Sequence, residues 1–210
     1  MNICVFASGT GSNFEAIVEN INKKYLSSKV LLLITNNSDC GAVKIAVKNN
    51  VDHLHFSRKN TPELSGKEYS DLFLNALDKY EIDFIVLSGY MKMLPEEIII
   101  KYQNRIINIH PALLPSFGGK GMYGMNVHKA VIASGVRVSG ITIHFVTEYY
   151  DEGKIIFQKC CEVENDDDEN SLQKKVLKLE HKYYSEVIKK FEEGKVKIEN
   201  GKVVFFSSAS

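Results

Sequence analysis

The sequence lacks the features that would indicate a membrane protein or a nucleic-acid-binding protein. Its 26 Lys and Arg are balanced by 26 Asp and Glu, so no overall charge favours nucleic acid or an acidic membrane surface. No apolar run reaches the roughly 20 residues of a transmembrane helix. Met1-Asn2 leads directly into a predicted strand instead of a basic and apolar signal region. We therefore expect a soluble, cytoplasmic protein with neither nucleic acid nor membrane as a partner.

Cysteine is also scarce. The four cysteines, at positions 4, 40, 160 and 161, form no C-x-x-C pair and do not indicate a disulfide framework or a zinc site. His53 and His55 have no carboxylate or thiol at ligand spacing near them. Reduced thiols and no bound metal are expected.

The size of the chain is sufficient for one domain. It has 210 residues, 44% of them apolar, and neither an internal repeat nor a low-complexity linker divides it. Asn200-Gly201 lies between two short apolar runs, which is a strong hairpin signal. We expect one domain over residues 1–195 and a small C-terminal hairpin extension over residues 196–206.

Short apolar runs alternate with helical segments through the first half of the chain. The runs that predict strands are Ile3–Ala7, Val30–Ile34, Phe84–Leu87 and Ile106–Ile109. Helices are expected over residues 41–48 and from the capping-box pair Ser65 and Glu68 to Lys79. This order predicts an α/β fold with a doubly wound, mostly parallel sheet in the N-terminal half.

The pattern changes after Pro111. Residues 140–146 alternate apolar and polar side chains, and residues 154–163 form a second extended segment. These two segments predict an antiparallel strand addition in the C-terminal half. A long helix is expected from about Ser171 to Glu193.

The most informative pattern is Asn108-Ile109-His110-Pro111 at the end of the fourth apolar run. Residues two apart on a strand point to the same face, and Pro111 takes the chain into a turn. A buried amide and a buried imidazole need hydrogen-bond partners, and Asp151 is the candidate. Such a set can polarise a carbonyl, move a proton and hold the imidazole charged, which is acyl-transfer chemistry without a nucleophile.

Three motifs also carry a family resemblance: Ser8–Asn13 (SGTGSN), Asn108–Phe117 (NIHPALLPSF) and His144–Gly153 (HFVTEYYDEG). With these motifs in the expected order, the chain resembles the folate-dependent phosphoribosylglycinamide formyltransferases of purine synthesis over residues 1–195. The resemblance implies the formyltransferase fold. It also implies transfer of a formyl group from the cosubstrate 10-formyltetrahydrofolate to the amine of phosphoribosylglycinamide, without a metal.

The residues that match the family's functional positions fall into three groups. Catalysis is implied for Asn108, His110 and Asp151. Binding of phosphoribosylglycinamide is implied for Gly11, Ser12, Asn13 and Glu180. Folate binding is implied for Met91, Lys92, Met93, Leu94 and Asn108, and for Lys67 near the glutamate tail. Lys92 stands where the family commonly has an arginine.

The glycine turn before the first helix has a second interpretation as part of a dinucleotide site. Helix N-termini favour anions, but Phe14 occupies the third glycine position of G-x-G-x-x-G, and Thr35-Asn36-Asn37 lacks the ribose-binding acid. A nicotinamide oxidoreductase is therefore only a fold-level alternative. A plain glycine turn is the other alternative.

Other features received structural interpretations. His144 is expected to be a structural histidine, and nothing singles out His128. The acidic run 166–169 is expected to be a solvated helix start rather than a cation site, because the helix dipole favours carboxylates there. The glycine-rich loop 118–124 lacks the P-loop ending and is expected to be a mobile lid.

Two other enzymes that act on formyl groups and one class of non-catalytic protein are alternatives to this function. Formyltetrahydrofolate hydrolase would replace the amine by water, although its relatives usually carry an extra N-terminal domain and the first strand here starts at residue 2. Methionyl-tRNA formyltransferase is disfavoured by the neutral charge and the missing C-terminal RNA-binding domain. A non-catalytic nucleotide- or folate-binding module is the alternative from another class. Only small-molecule substrates are expected as partners, with the protein a monomer or weak homodimer.

Overall fold

The structure, a computed structural model, describes residues 1–206. Its strands are β1 (Asn2–Phe6), β2 (Lys29–Thr35), β3 (Asp52–His55), β4 (Phe84–Leu87), β5 (Ile106–His110), β6 (Val138–Phe145), β7 (Ile155–Glu162), β8 (Val196–Glu199) and β9 (Lys202–Phe205). Its helices are α1 (Ser12–Asn22), α2 (Gly41–Lys48), α3 (Gly66–Lys79), α4 (Glu96–Lys101), α5 (Met125–Ser134) and α6 (Glu169–Glu192).

One sheet has the strand order β3-β2-β1-β4-β5-β6-β7, and β8 pairs with β9 separately. Strand β1 is parallel to both β2 and β4, and β2 is parallel to β3. Strands β6 and β7 are antiparallel. The chain runs outward from β1 to β3 and then returns to β4 on the other side of β1, which is the reversal that defines a doubly wound sheet. The predicted fold class is confirmed.

The chain divides into two compact units, Met1–Ile107 and a second unit that begins at Asn108. In the first unit, β1 is fully buried from Ile3 to Phe6, because it lies between two other strands and apolar side chains cover both of its faces. The ring of Phe6 stacks on Phe73 and meets the edge of Tyr90. Burying one such side chain contributes roughly 1.5–3 kcal/mol.

Strand β3 is an element that the sequence analysis missed. Its four residues, Asp-His-Leu-His, include a single apolar residue, and three of the four are exposed. The strand lies at the edge of the sheet. Its stability comes from the ladder with β2, in which Leu32 pairs with Asp52. Periodicity cannot detect a strand that buries so little.

In the second unit, β6 is more buried than its alternating sequence indicated. Every residue from Ser139 to Phe145 is buried, including the polar Thr142 and His144. Gly140 allows β7 to approach closely, since a Cβ at this position would lie 2.1 Å from the carbonyl oxygen of Lys159. The Thr142 hydroxyl and Nδ1 of His144 have protein hydrogen-bond partners. Within residues 1–206 the buried Ser139 hydroxyl has none.

Helix α6 starts earlier than expected, at Glu169. The Asp168 carboxylate accepts hydrogen bonds from the N–H groups of Asn170 (2.9 Å) and Ser171 (2.7 Å), and the Ser171 hydroxyl accepts one from the Asp168 N–H. This capping box places Ser171 in the first turn instead of at its start. Although α6 is long, no helix within residues 1–206 has the apolar length needed to cross a bilayer.

Candidate active site

Strand β5 ends by presenting two polar side chains. Asn108 is half-buried and His110 is buried, and the strand periodicity puts both on one face as predicted. The turn that follows is held by Thr142 of β6. Its hydroxyl donates to the carbonyl of Ala112 (2.7 Å) and accepts from the N–H of Leu114 (2.9 Å). The direction in which the chain leaves His110 is therefore fixed.

The carboxylate of Asp151 lies between two imidazoles. Its Oδ2 is 3.6 Å from Nδ1 of His110, and its Oδ1 is 3.5 Å from Nε2 of His144. The N–H of Gly119 donates to the same Oδ2 over 2.9 Å. The expected juxtaposition of Asn108, His110 and Asp151 is thus accompanied by a second histidine.

His144 was expected to be a structural histidine, but it lies within the cluster. Its Nε2 is 3.1 Å from Nδ2 of Asn108, and its Nδ1 is 2.8 Å from the carbonyl oxygen of Phe145. It is satisfied, as a structural histidine would be, yet its partners are two of the predicted catalytic residues. The only sequence signal was its place in the same motif as Asp151.

The protonation state of His144 controls the orientation of Asn108. A carbonyl only accepts, so Nδ1 of His144 carries a proton toward Phe145. If Nε2 is unprotonated, it accepts from Nδ2 of Asn108. If Nε2 is protonated, it donates to Asp151, and a rotated Asn108 amide can offer its oxygen to His144 and turn Nδ2 outward. An outward N–H is what an oxyanion requires.

Burial decides the charge of His110. Removal from water lowers the pKa of His110 below its usual 6.5, although the Asp151 charge and the Phe117 carbonyl act in the opposite direction. Asp151 favours the charged imidazole, as expected from the sequence, but burial is the larger effect and favours the neutral form. Burial alone would raise the pKa of Asp151, but the His144 hydrogen bond, the His110 charge and the Gly119 N–H together lower it. The site therefore pairs an ionised carboxylate with a neutral imidazole.

A third histidine, His128 on α5, is influenced by His110. It is buried, and within residues 1–206 its Nδ1 has no hydrogen-bond partner. Burial, and then the charge of His110, lowers the pKa of His128 to about 4. Nothing in the sequence distinguished this residue, because its burial and the effect of His110 on it are properties of the fold.

The start of the glycine-rich loop is bound to the cluster. Nε2 of His110 donates to the carbonyl of Phe117 (2.8 Å), while Gly119 holds Asp151. Between them, a Cβ on Gly118 would lie 2.4 Å from Cδ2 of Leu114 and 3.3 Å from Cβ of Asp151. The expected lid over residues 118–124 thus has an anchored beginning, and its mobility stays a prediction.

The residues expected to bind the nucleotide form a close turn before α1. Gly11 has φ +80°, and a Cβ on it would lie 2.7 Å from Cα of Ala42 in α2. Only glycine combines that conformation with so close an approach. Gly11, the N-cap residue of α1, has no side chain with which to cap the helix, and helix N-termini favour anions. Ser12 and Asn13 are half-buried in its first turn, whereas Glu180 lies in the second unit on the buried face of α6.

The segment expected to bind folate follows β4. Met91 and Met93 are 43% and 38% exposed, whereas Leu94 is buried. Exposed methionines fit an apolar ligand wall better than the core packing that was the alternative. The N–H of Met91 donates to the Ser8 hydroxyl (2.9 Å), so this group is already used within the protein. Lys92 is exposed.

The predicted contact for the folate glutamate tail has a second cation beside it. Lys67 is exposed in the first turn of α3. The guanidinium of Arg58 donates to the Leu64 carbonyl (2.8 Å) and lies 4.1 Å from the ring centre of Tyr69. Sequence analysis missed Arg58, which stands in a loop without a motif.

No part of this arrangement forms a metal centre. Across residues 1–206, no group of three or more His, Cys, Asp or Glu side chains is placed to hold a metal ion. The geometry instead supplies an amide, a neutral imidazole and an ionised carboxylate. These groups can donate to an oxyanion, accept a proton and stabilise the resulting positive charge.

Comparison with known proteins agrees with this chemistry. A family model described as formyl transferase matches residues 1–188. The chain belongs to the formyl transferase family. It is 46% identical over 186 residues to the chloroplastic phosphoribosylglycinamide formyltransferase of Arabidopsis thaliana, covering 89% of this chain and 63% of that protein. It is 35% identical over 185 residues to phosphoribosylglycinamide formyltransferase of Bacillus subtilis (strain 168), covering 88% and 91%.

A solved structure of this family is also similar. The crystal structure of glycinamide ribonucleotide transformylase 1 from Symbiobacterium toebii matches with a TM-score of 0.90 at 32% identity, covering 99% of this chain and 94% of that one. The chain spans about 60% of the length of the plant relatives that it matches. Family membership and fold are therefore shown.

Proposed function

We propose that this formyl transferase transfers the formyl group of 10-formyltetrahydrofolate to the amine of 5-phosphoribosylglycinamide in purine biosynthesis. The observation that carries the proposal is the cluster of Asn108, His110, His144 and Asp151, which has the donor, base and counter-charge of acyl transfer. The choice of acceptor is supported by relatives at 35–47% identity that are named phosphoribosylglycinamide formyltransferase.

The substrate-binding assignments follow the resemblance residue by residue. The turn of Gly11, Ser12 and Asn13 binds the phosphoribosyl group, with Glu180 at the ribose hydroxyls. The segment Met91, Lys92, Met93 and Leu94 binds the pterin ring, with Asn108 beside it and Lys67 at the glutamate tail. Support comes from the uncapped α1 N-terminus and the exposed methionines.

The reaction begins with attack of the substrate amine on the formyl carbon. A C–N bond forms while the carbonyl electrons move to oxygen, giving a tetrahedral oxyanion. Nδ2 of Asn108 donates to this oxygen, and a single donor of this kind contributes about 3 kcal/mol. Donation requires the Asn108 amide to turn Nδ2 away from His144 and towards this oxygen.

Proton transfer completes the reaction. Nε2 of His110 already donates to Phe117, so Nδ1 takes the proton from the attacking nitrogen. The resulting imidazolium is stabilised by Asp151, whose Oδ2 lies 3.6 Å from Nδ1. The proton then passes to N10 of the folate as the bond from N10 to the formyl carbon breaks. Asp151 therefore stabilises a charge that forms during the reaction. Much of the remaining acceleration comes from holding the two reactants together, and no metal takes part.

We place the protein in the cytoplasm, acting on small molecules as a monomer or weak homodimer. All four cysteines are free, as suits a reducing compartment. A plastid is the alternative location, because the relative from Arabidopsis thaliana is named as chloroplastic.

A formyl-transfer assay with both substrates tests the proposal. His110→Ala should lower kcat by about 10²–10⁴-fold because the base is lost, while the dissociation constants of both substrates change little. The exposed His53 provides the matched control, His53→Ala, which should retain wild-type kcat. Hydrolysis of 10-formyltetrahydrofolate to formate without formyl transfer to the amine would indicate formyltetrahydrofolate hydrolase instead. Binding of both ligands without turnover would indicate a non-catalytic module.

A further inference from the structure

The buried Ser8 connects two segments of the first unit, residues 9–13 and residues 91–94. The proposed function assigns a different ligand to each segment. We infer that Ser8 is a positioning residue that couples nucleotide binding to folate binding. The inference rests on the proposed function, which assigns phosphoribosylglycinamide to the turn of residues 9–13 and folate to residues 91–94.

The hydrogen bonds of Ser8 define the connection. Its hydroxyl accepts from the N–H of Met91 over 2.9 Å and donates to Oδ1 of Asn36. Its own N–H donates to the carbonyl of Gly89 over 3.2 Å. A carboxamide oxygen only accepts, so the hydroxyl proton must point to Asn36 and its lone pair to Met91. Ser8 is 7% exposed, which protects these bonds from water.

Ser8 and the two partners of its hydroxyl come from three neighbouring strand ends. Ser8 follows β1, Asn36 follows β2 and Met91 follows β4. Because β1 is parallel to both β2 and β4, these ends lie at one edge of the sheet. The strand order reverses between β1 and β4, and ligands of open α/β sheets bind at such a reversal. We call the hydrogen bonds that join Ser8 to Asn36 and Met91 the tether. The tether therefore lies where a ligand on either segment would act on it.

The tether can transmit order from one segment to the other. Met91 and Met93 lie outside regular secondary structure and are exposed, and Gly89 has φ +72° with open space around its Cβ position. The bond from Ser8 therefore sets where this segment starts. A ligand that orders the turn of residues 9–13 also holds Ser8, and through it Met91. The second ligand then loses less conformational entropy on binding, which gives positive coupling that is equal in both directions.

The coupling is measured with tetrahydrofolate, which binds but has no formyl group to transfer. Its dissociation constant is determined by calorimetry with and without saturating phosphoribosylglycinamide. In the wild type, we expect the nucleotide to tighten tetrahydrofolate binding by about fivefold or more. In Ser8→Ala, that factor should fall to about 1, because the link to Met91 is lost.

Ser70 offers a matched control in the same unit. It is 3% exposed, and its hydroxyl also bridges two elements, donating to the Gly66 carbonyl (3.0 Å) and to Glu97 (2.7 Å). These partners belong to α3 and α4, not to the strand ends. Ser70→Ala should lower stability much as Ser8→Ala does and leave the coupling factor unchanged. A purely structural role for Ser8 would make the two variants behave alike.

Asn36→Ala is a second, milder variant that leaves the Ser8 hydroxyl in place without its orienting acceptor. It should retain part of the coupling. It decides the question if Ser8→Ala does not fold, because full wild-type coupling in Asn36→Ala would overturn the inference. Wild-type coupling in a folded Ser8→Ala would also overturn it, as would a wild type that transfers formyl but shows no coupling. A wild type without any formyl transfer would instead overturn the proposed function, and this inference with it.

Discussion

At the scale of single residues, the site is organised around one carboxylate shared by two histidines. Asp151 lies 3.6 Å from His110 and 3.5 Å from His144, and Gly119 binds it as well. The pKa of Asp151 is lowered, so its carboxylate is already negatively charged. The pKa of His110 is also lowered, so its imidazole becomes positively charged only when it takes up a proton. Such an arrangement stabilises an imidazolium only when the reaction creates it.

The pH dependence follows from these two shifts. The neutral form of His110 is the base, so wild-type kcat/KM should rise with pH through a pKa below 6.5. The charge of Asp151 raises the pKa of His110 in opposition to burial. Asp151→Asn should therefore move the acidic limb to lower pH and lower the plateau by about 10²-fold or more. The measurement is kcat/KM against pH for both proteins.

Glu152 supplies the control for this experiment. It is the next residue in the chain and is exposed, so Glu152→Gln should retain the wild-type limb and plateau. An acidic limb that stays in place in Asp151→Asn would show that Asp151 does not act on the titrating group.

The positions of the site residues could be predicted where they depend on a short sequence pattern. The two-residue spacing of Asn108 and His110, with Pro111 after them, was enough to place both side chains at one strand end. His144 was missed because its contact with Asn108 joins residues 36 apart. The lowered pKa of His110 could not be predicted, because desolvation depends on neighbours that the sequence does not specify.

At the scale of elements, the start of the glycine-rich loop is part of the site rather than a cover above it. Phe117 accepts from His110 and Gly119 donates to Asp151. Phe117 itself has φ +56°, a left-handed conformation that is unfavourable for a bulky residue. The start of the loop therefore holds His110 and Asp151, the two side chains with proposed catalytic roles, at a fixed separation.

Gly118→Ala should disturb that separation. Its new Cβ would lie 2.4 Å from Cδ2 of Leu114 and 3.3 Å from Cβ of Asp151, so both must shift. We expect a loss of roughly 1–3 kcal/mol in unfolding free energy, and about a tenfold or larger fall in kcat because small misplacements of reacting groups are costly. Thermal unfolding and steady-state kinetics measure the two effects.

Gly66→Ala is the matched control for Gly118→Ala. Its Cβ would be 3.9 Å from the Arg58 guanidinium, an ordinary contact, and its φ is not positive. In the first turn of α3 this change should leave kcat unaltered and raise stability slightly. An unaltered kcat in Gly118→Ala would show that the loop start does not position His110 and Asp151.

Elements with strong local signals were predicted closely. The capping box of Ser65 and Glu68 was confirmed at the start of α3, and α2 has the predicted bounds of residues 41–48. Strand β3 was missed because Asp52–His55 buries little and depends on its ladder with β2. Helix α6 starts earlier than predicted because Asp168, not Ser171, is its cap.

At the scale of the whole molecule, the C-terminal hairpin forms a small sheet of its own. Ile198 and Phe205 are 36% and 37% exposed, and Lys190 lies 5.0 Å from the ring centre of Phe205. The pairing of β8 with β9 is separate from the large sheet. These features support the predicted division between residues 1–195 and 196–206, which stays a prediction.

Removing residues 196–210 tests that division. The shortened chain should fold and transfer formyl with kcat within about twofold of the wild type. The loss of the few hairpin contacts should lower Tm by about 2–4 °C, equivalent to about 1 kcal/mol for a chain of this size. A chain lacking only residues 207–210 is the control. An insoluble or inactive product of the larger truncation would show that the hairpin belongs to the domain.

The division into two compact units was not predictable. It falls between Ile107 and Asn108, in the middle of β5. No glycine, proline or polar linker marks this point, because the chain passes from one unit to the next along a buried strand. Composition detects boundaries in exposed linkers and has no signal for this one.

We expect the two exposed methionines after β4 to make the protein sensitive to peroxide. Oxidation would convert the thioethers of Met91 and Met93, 43% and 38% exposed, into polar sulfoxides. An apolar surface for a flat aromatic ring would then become hydrophilic without any change of sequence. Oxidant damage at this surface would weaken its hold on an aromatic ligand, and a methionine sulfoxide reductase would restore it.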